Sequence, residues 1–245
     1  MDKRILVMAD NGPLLERLLP FLRLKRQQHA ALAIRFSPGN AELATACRAG
    51  EEIRPLDIRA DWQRVAADYD FVFSLHCRQI FPAALVEAVR CVNLHPGYNP
   101  YNRGRYPHVF SLINKMPAGC TLHLMDAQID HGPILAQQQI EVFPWDTSLT
   151  LYQRIVDAEI GLFTAHFDDI VSGRLVPAAA PGDGNLNRKE DFDRLCRIDL
   201  TAPTTFGEAI DRLRALTHGE HRNAYFIDEN GRKVYVRMTL LPERK

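Results

Sequence analysis

A chain of 245 residues, 46% hydrophobic and 24% charged, has the composition of an ordinary globular protein and room for one large α/β domain with a small appendage. Thirty basic residues balance thirty acidic ones, and this formal charge of zero argues against a protein that wraps tRNA or DNA. Five scattered cysteines (Cys47, Cys77, Cys91, Cys120 and Cys196), none at CxxC spacing, suggest neither a disulfide framework nor a zinc knuckle. No stretch approaches the ~20 apolar residues of a membrane span, and no leader-like segment follows Met1. A cytoplasmic protein with no membrane partner is expected.

Arg4 to Ala9 reads as a buried strand closed by Asp10-Asn11-Gly12. Leu14, Leu15, Leu18, Leu19 and Leu22 recur at helical spacing after Pro13, and Pro20 is expected to kink or divide that helix. Ala31 to Phe36 is a second strand, and Asn40 opens an alanine-rich helix ending near Gly50. Ile53 to Ile58, Asp70 to Leu75 and Cys91 to Leu94 supply further strands, with Pro82 at a helix start between the last two. This alternation predicts a mostly parallel sheet with helical crossovers. Ligands of such sheets sit where loops leave the carboxyl ends of strands, the position of Asn11, His76-Cys77-Arg78 and His95-Pro96-Gly97. There is no GxGxxG or P-loop. Residues 147 to 172 predict a long amphipathic helix, and the stretch from Pro177 to Asn187 reads as a linker. A helix over Phe206 to Leu216 and strands over Asn223 to Ile227 and Lys233 to Leu240 follow, with Asp228-Glu229-Asn230-Gly231 as the turn of a β-hairpin. The expected division is a catalytic domain over 1–180 and a small appendage over 181–245.

Asn93 and His95, two apart on one strand, point to the same face, and Pro96-Gly97 leaves both at the mouth of the sheet. Asp130 stands in the tight turn Ile129-Asp130-His131-Gly132-Pro133. Each alone is an ordinary buried or turn residue. Together a carboxamide, an imidazole and a carboxylate can pass an acyl group to an amine: Asn holds an oxyanion, His moves a proton, Asp orients and charge-stabilises the His. A metal site built from His95, His123, Asp126, Asp130 and His131 is an alternative, but no HxxEH, HExxH or Cys/His pair organises those ligands.

The set Asn93-x-His95-Pro96, Gly119-x-Thr121-x-His123 and Asp130-x-Gly132 resembles the signature of the folate-dependent formyltransferases. The run HPGYNPYNRG (His95 to Gly104), with FSLIN (Phe110 to Asn114) after it, is similar to the nucleotide-sugar branch of that family. The likeness is strong over residues 70 to 145 and looser elsewhere. It implies a Rossmann-like core and N10-formyltetrahydrofolate as formyl donor. The implied acceptor is a nucleotide-linked amino-dideoxy sugar, first of all dTDP-4-amino-4,6-dideoxyglucose, for O-antigen or other surface polysaccharide. Asn93 would then donate to the oxyanion, His95 take the amine proton, Asp130 orient His95, and His123 support them. Cys77, Arg78 and Gln79, with Met125, Asp126, Ala127, Gln128, Ile129 and Asp130, would meet the folate, largely through backbone groups. Tyr101, Asn102, Arg103, Gly104 and Arg105 would meet the sugar nucleotide, with Asn11 and Tyr225 as weaker candidates. Arg105 and His108 depart from that branch, where Trp and Gln are usual, which leaves the base and sugar open. GDP- or UDP-linked sugars, a methionyl-tRNA or glycinamide ribonucleotide acceptor, and an idle folate- or nucleotide-binding module are the alternatives. The C-terminal hairpin, with its exposed edges, is expected to pair two copies as a homodimer.

Overall fold

The computed structural model describes residues 3–46 and 53–243. The expected helix end near Gly50 lies outside the described residues. The apolar run Ile5–Ala9 forms β1, buried along its whole length, and helix α1 follows over Gly12–Gln28. The Asn11 carboxamide oxygen caps that helix by accepting from Leu14 N–H at 3.1 Å. Pro20 does not divide α1. It lies on the exposed side, where a carbonyl that loses its partner can be hydrated, while Leu14, Leu15, Leu18 and Leu22 anchor both halves.

Strands β2 (Leu32–Phe36), β3 (Ile53–Pro55), β4 (Phe71–Leu75) and β5 (Arg90–His95) alternate with short helices α2 (Ala41–Ala46), α3 (Trp62–Asp68) and α4 (Ala83–Ala88). After the two-residue β6 (Arg103–Gly104) come α5 (Pro107–Asn114), β7 (Ala118–Leu124), β8 (Ile134–Ile140) and the long α6 (Ser148–Val171). One sheet runs β3-β2-β1-β4-β5-β7-β8. Its first five strands pair in parallel, and β7 runs antiparallel to β5. The strand order reverses between β1 and β4, so the crevice outside their carboxyl ends is the topological switch point. Asn11 and His76 both stand there.

Alternation along the strands divides the core between two faces. On one, Phe73 packs against Phe163 and Phe167 of α6 and Phe21 of α1 packs on the same pair, ring centroids 5.3–6.1 Å apart. On the other, Leu6, Met8 and Val72 meet Val65 of α3 and Leu85 of α4. This is the expected α/β fold, mostly parallel, with helices on both faces.

The remaining elements are β9 (Leu186–Asn187), α7 (Lys189–Cys196), α8 (Phe206–Leu216), β10 (Tyr225–Ile227) and β11 (Lys233–Tyr235). Helix α7 has no counterpart in the sequence reading, and the hairpin strands are shorter than expected. The hairpin turn falls on Asp228–Gly231, where Asp228 accepts from Asn230 and Arg232 N–H. The chain forms two compact units. The first comprises 1–95, 121–137 and 159–181; the second comprises 96–120, 138–158 and 182–245. Each unit is thus built from three segments, whereas the division expected from the sequence is continuous.

Candidate active site

Asn93, His95, His123 and Asp130, all in the first unit, meet at the open end of β5. Asn93 lies directly opposite His123 in the antiparallel β5–β7 pair, and His95 opposite Thr121, so these strand residues point to one face. The Asn93 Nδ2 donates to Asp130 Oδ1 at 2.9 Å and lies 3.2 Å from His123 Nε2. The other His123 nitrogen, Nδ1, is 2.8 Å from the carbonyl oxygen of Leu124. A carbonyl only accepts, so Nδ1 carries the proton and Nε2 offers its lone pair to the Asn93 amide. Both amide hydrogens of Asn93 are thus engaged, and the amide cannot be reversed without setting its oxygen against a carboxylate. His95 Nδ1 stands 3.4 Å from Asp130 Oδ2, with both side chains mostly buried.

The β7–β8 connection explains how Asp130 arrives there. Leu124 N–H donates to Pro133 O at 2.8 Å, closing the loop onto the end of β7. A Cβ on Gly132 would collide with the Leu124 carbonyl, so glycine is required at the close approach. Asp130 itself adopts φ +47°. The Asp-x-Gly spacing therefore places a carboxylate over β5 through loop geometry. In the same loop the Asp126 carboxylate accepts from Gln128 N–H at 2.8 Å and pairs with His131 Nδ1 at 2.7 Å. Asp126 and His131 thus bond each other, whereas Asp130 bonds Asn93 and approaches His95. Among the described residues no group of three or more His, Cys, Asp or Glu is placed to hold a metal ion.

The other loop expected to meet a ligand, residues 76–79, leaves β4 at the switch point. His76 takes φ +55°, its Nε2 2.8 Å from the fully buried Glu159 carboxylate and its Nδ1 3.2 Å from Asn11 Nδ2. Arg78 N–H donates to Asp10 Oδ2 at 2.7 Å. Gln79 spends its carboxamide on structure, accepting from Ile58 N–H and donating to Ser37 Oγ and Leu56 O. Cys77 packs against the core, and burial pushes its thiol up to about 12, so it is no nucleophile. Sequence reasoning missed Asp10 and Glu159. Asp10 was absorbed into a turn; Glu159 was visible only as a lone acid among the apolar positions of α6.

Apart from Asn11, which stands in the first unit, the acceptor candidates lie in the second unit, and one needs correction. Asn102 is 0% exposed, at φ +53°. Its Nδ2 donates to Ser111 Oγ at 3.1 Å and approaches Asn114 Oδ1 at 3.3 Å, while its oxygen accepts from Asn114, Asn185 and Asn187. With its hydrogen-bonding capacity used, it cannot bond a sugar hydroxyl; it locks 98–104 to the 183–187 segment. Arg103 and Gly104 form β6 against β9, and Arg103 Nη2 donates to Asp183 O at 3.1 Å. The Arg105 backbone N–H donates to Asn187 O at 2.9 Å, and its side chain is exposed. Tyr101 is half-buried. Tyr225 sits inside the hairpin, its ring 6.0 Å from Tyr235 and under the Lys233 ammonium at 4.3 Å. His108 is buried against Tyr152.

Comparison with known proteins gives the family. Residues 3–166 match the formyl transferase family model, and residues 191–242 match the N-formyltransferase dimerization C-terminal domain. Over 188 residues, 77% of this chain and 80% of the relative, the sequence is 49% identical to a dTDP-4-amino-4,6-dideoxyglucose formyltransferase of Mycobacterium tuberculosis. The crystal structure of a 4-N formyltransferase from Francisella tularensis superposes with TM-score 0.91 at 39% identity, covering 98% of this chain and 99% of that one. A sugar N-formyltransferase from Shewanella sp. FDAARGOS_354 gives TM-score 0.91 at 37% identity and 98% coverage of both. The chain belongs to the formyl transferase family and ends in that family's N-formyltransferase dimerization domain.

Proposed function

We propose that this enzyme moves a formyl group from N10-formyltetrahydrofolate to the amine of a nucleotide-linked amino-dideoxy sugar, with dTDP-4-amino-4,6-dideoxyglucose as the foremost acceptor. The observation that carries the reading is the meeting of Asn93, His95 and Asp130 in a chain 49% identical to an enzyme of that name. The folate supplies an activated formyl carbon; the chain's own residues supply position and proton movement. His95 takes the proton from the attacking amine as the new C–N bond forms, and Asp130 stabilises the resulting imidazolium. That proton passes to the folate nitrogen as its bond to the formyl carbon breaks. Asn93 donates to the oxyanion by turning one amide hydrogen away from Asp130 or His123, and the loss of such a donor costs about 10²–10³ in rate.

For the folate we assign the loops at Cys77, Arg78 and Gln79 and at Met125 to Asp130. Their fit is chemical: a large apolar side chain is held out in solvent at each, Ile80 directly after the first loop at 64% exposure and Ile129 within the second at 52%, suited to the edges of a ring system. Arg103 and Arg105 would take diphosphate oxygens, and Tyr101 would line the sugar. Asn11, tied up as a helix cap, and Tyr225, packed in the hairpin, are the weaker contacts. Phe206 at 88% and Leu241 at 85% exposure, with Val234 and Tyr235, support a homodimer through the C-terminal segment and its hairpin. Among the described residues no helix is long and apolar enough to cross a membrane. We place the reaction in the cytoplasm, with its product destined for surface polysaccharide such as O-antigen.

Incubation of the enzyme with N10-formyltetrahydrofolate and a panel of dTDP-, GDP- and UDP-amino sugars, read by mass spectrometry, tests the reading. A formyl mass gain on the dTDP-4-amino sugar supports it. A gain only on a GDP or UDP sugar redirects the acceptor, and no gain on any member overturns it.

A further inference from the structure

Loop 76–79 is tied down at every residue, by partners at neighbouring strand ends and by Glu159 of α6. His76 is held by Glu159 and Asn11, Cys77 Sγ lies 3.8 Å from Ser37 Oγ, Arg78 N–H is bound by Asp10, and Gln79 is bonded to Ser37, Leu56 and Ile58. Asp10 stands at the centre. Its Oδ1 accepts from Ser37 N–H at 2.7 Å and Asn40 Nδ2 at 3.3 Å; its Oδ2 accepts from the Ser37 hydroxyl and from Arg78 N–H at 2.7 Å. One carboxylate thereby joins the ends of β1, β2 and β4, and Gln79 extends the tie to the segment after β3.

Every group facing Asp10 is a donor, and only an acceptor-only side chain satisfies them all. Burial alone would push this carboxyl up, but the donors of Arg78, Ser37 and Asn40 outweigh it and hold it below the usual carboxylate range. The side chain is 1% exposed, so it cannot itself touch a ligand. What it controls is the backbone of a loop at the switch point, beside the exposed Ile80.

We propose that Asp10 is a positioning residue for the formyl donor, holding the backbone of loop 76–79 as a preformed cradle for the folate ring. This rests on the reading that the loop meets the folate.

Asp10→Asn is the sharp test, because it keeps size and removes one acceptor. Its new NH2 group must face one of the two donor pairs. Facing the Oδ2 side is easier, since the Ser37 hydroxyl can turn and accept while Arg78 N–H alone loses its partner. The expected result is a rise of about tenfold in KM for N10-formyltetrahydrofolate and in Kd for folinic acid. The kcat at saturating donor and the KM for the sugar nucleotide should stay within about twofold, and amide exchange at Arg78 should quicken. Asp168→Asn, which breaks the Lys25–Asp168 pair at 2.6 Å, is the control: it lowers Tm and leaves the donor KM unchanged. An unchanged donor KM in Asp10→Asn, or an equal rise in both variants, overturns the proposal. If Asp10→Asn does not fold, Ser37→Ala reads the same tie, with about a threefold rise expected and no rise overturning it. Wild-type enzyme that does not bind folinic acid would instead overturn the assignment of the loop to folate, and Asp10's role with it.

Discussion

Asn93 and Asn102 each bring a carboxamide into a cluster of polar side chains, one in each compact unit, and the partners differ in kind. Around Asn93 stand a carboxylate and two imidazoles, with His95–Asp130 at 3.4 Å and His123–Asp130 at 3.7 Å, longer than ideal hydrogen bonds. Around Asn102 stand a hydroxyl and three further carboxamides, with bonds down to 2.6 Å and no exposure to solvent. Groups that titrate, set slightly apart, leave room for a proton and a ligand to change the bonding. A saturated amide knot leaves none, and its product is backbone geometry. The same residue type, in motifs a few positions apart, is thus proposed to serve chemistry in one unit, while it ties segments together in the other.

The largest effect expected from this contrast is at His95. His95→Ala should lower kcat by about 10²–10⁴ with little loss of Tm, as measured by steady-state assay and thermal melt. A comparable loss of Tm would mean that this cluster, too, is structural. Gly132→Ala comes next. Its Cβ meets the Leu124 carbonyl, so the loop carrying Asp130 must shift. We expect about 1–3 kcal/mol of lost stability in denaturant titration and a fall in kcat beyond what that loss explains. Asn102→Ala should cost stability without the loss of rate. It strands buried donors and acceptors and should destabilise by about 1–3 kcal/mol, while the single-turnover rate at saturating ligands stays near wild type. A chemical-step defect without a stability defect would reverse the assignment of roles.

The smallest effect is a pH dependence in the second unit. Burial, with His221 nearby, holds the His218 imidazole below its usual value of 6.5. Ser148, Tyr152 and His108 are its other neighbours. The unfolded chain binds this proton more readily than the folded one, so stability is complete above pH ~6.5 and falls as pH drops below it. Denaturant melts between pH 7.5 and 5.5 should show that slope, and His218→Gln should flatten it.

Much of the first unit was legible in the sequence because its signals are local. Apolar runs ending in Asp10-Asn11-Gly12 or His95-Pro96-Gly97 mark strands and their open ends, and the i, i+2 spacing of Asn93 and His95 fixes a common face. Asp130 was legible only through its spacing to Gly132, since nothing local brings a turn residue over another strand. The second unit was read less well. Asn102 looked like a ligand contact because exposure depends on segments 183–187 and 111–114 folding over it, and no periodicity encodes that. Helix α7 begins within two residues of the linker-like stretch and is highly charged, which hid it. Pro20 misled for a comparable reason: a local rule about helix breaking yielded to leucines packed on either side.

The cluster around Asn93 and His95 is proposed to perform the formyl transfer. The direct measurement is a mass spectrum of dTDP-4-amino-4,6-dideoxyglucose after reaction with N10-formyltetrahydrofolate labelled at the formyl carbon, run in parallel with wild type and with folded, ligand-binding His95→Ala. The expected result is the labelled formyl group on the sugar amine with wild type, and labelling slower by about a hundredfold or more with the variant. Equal labelling by both would contradict it.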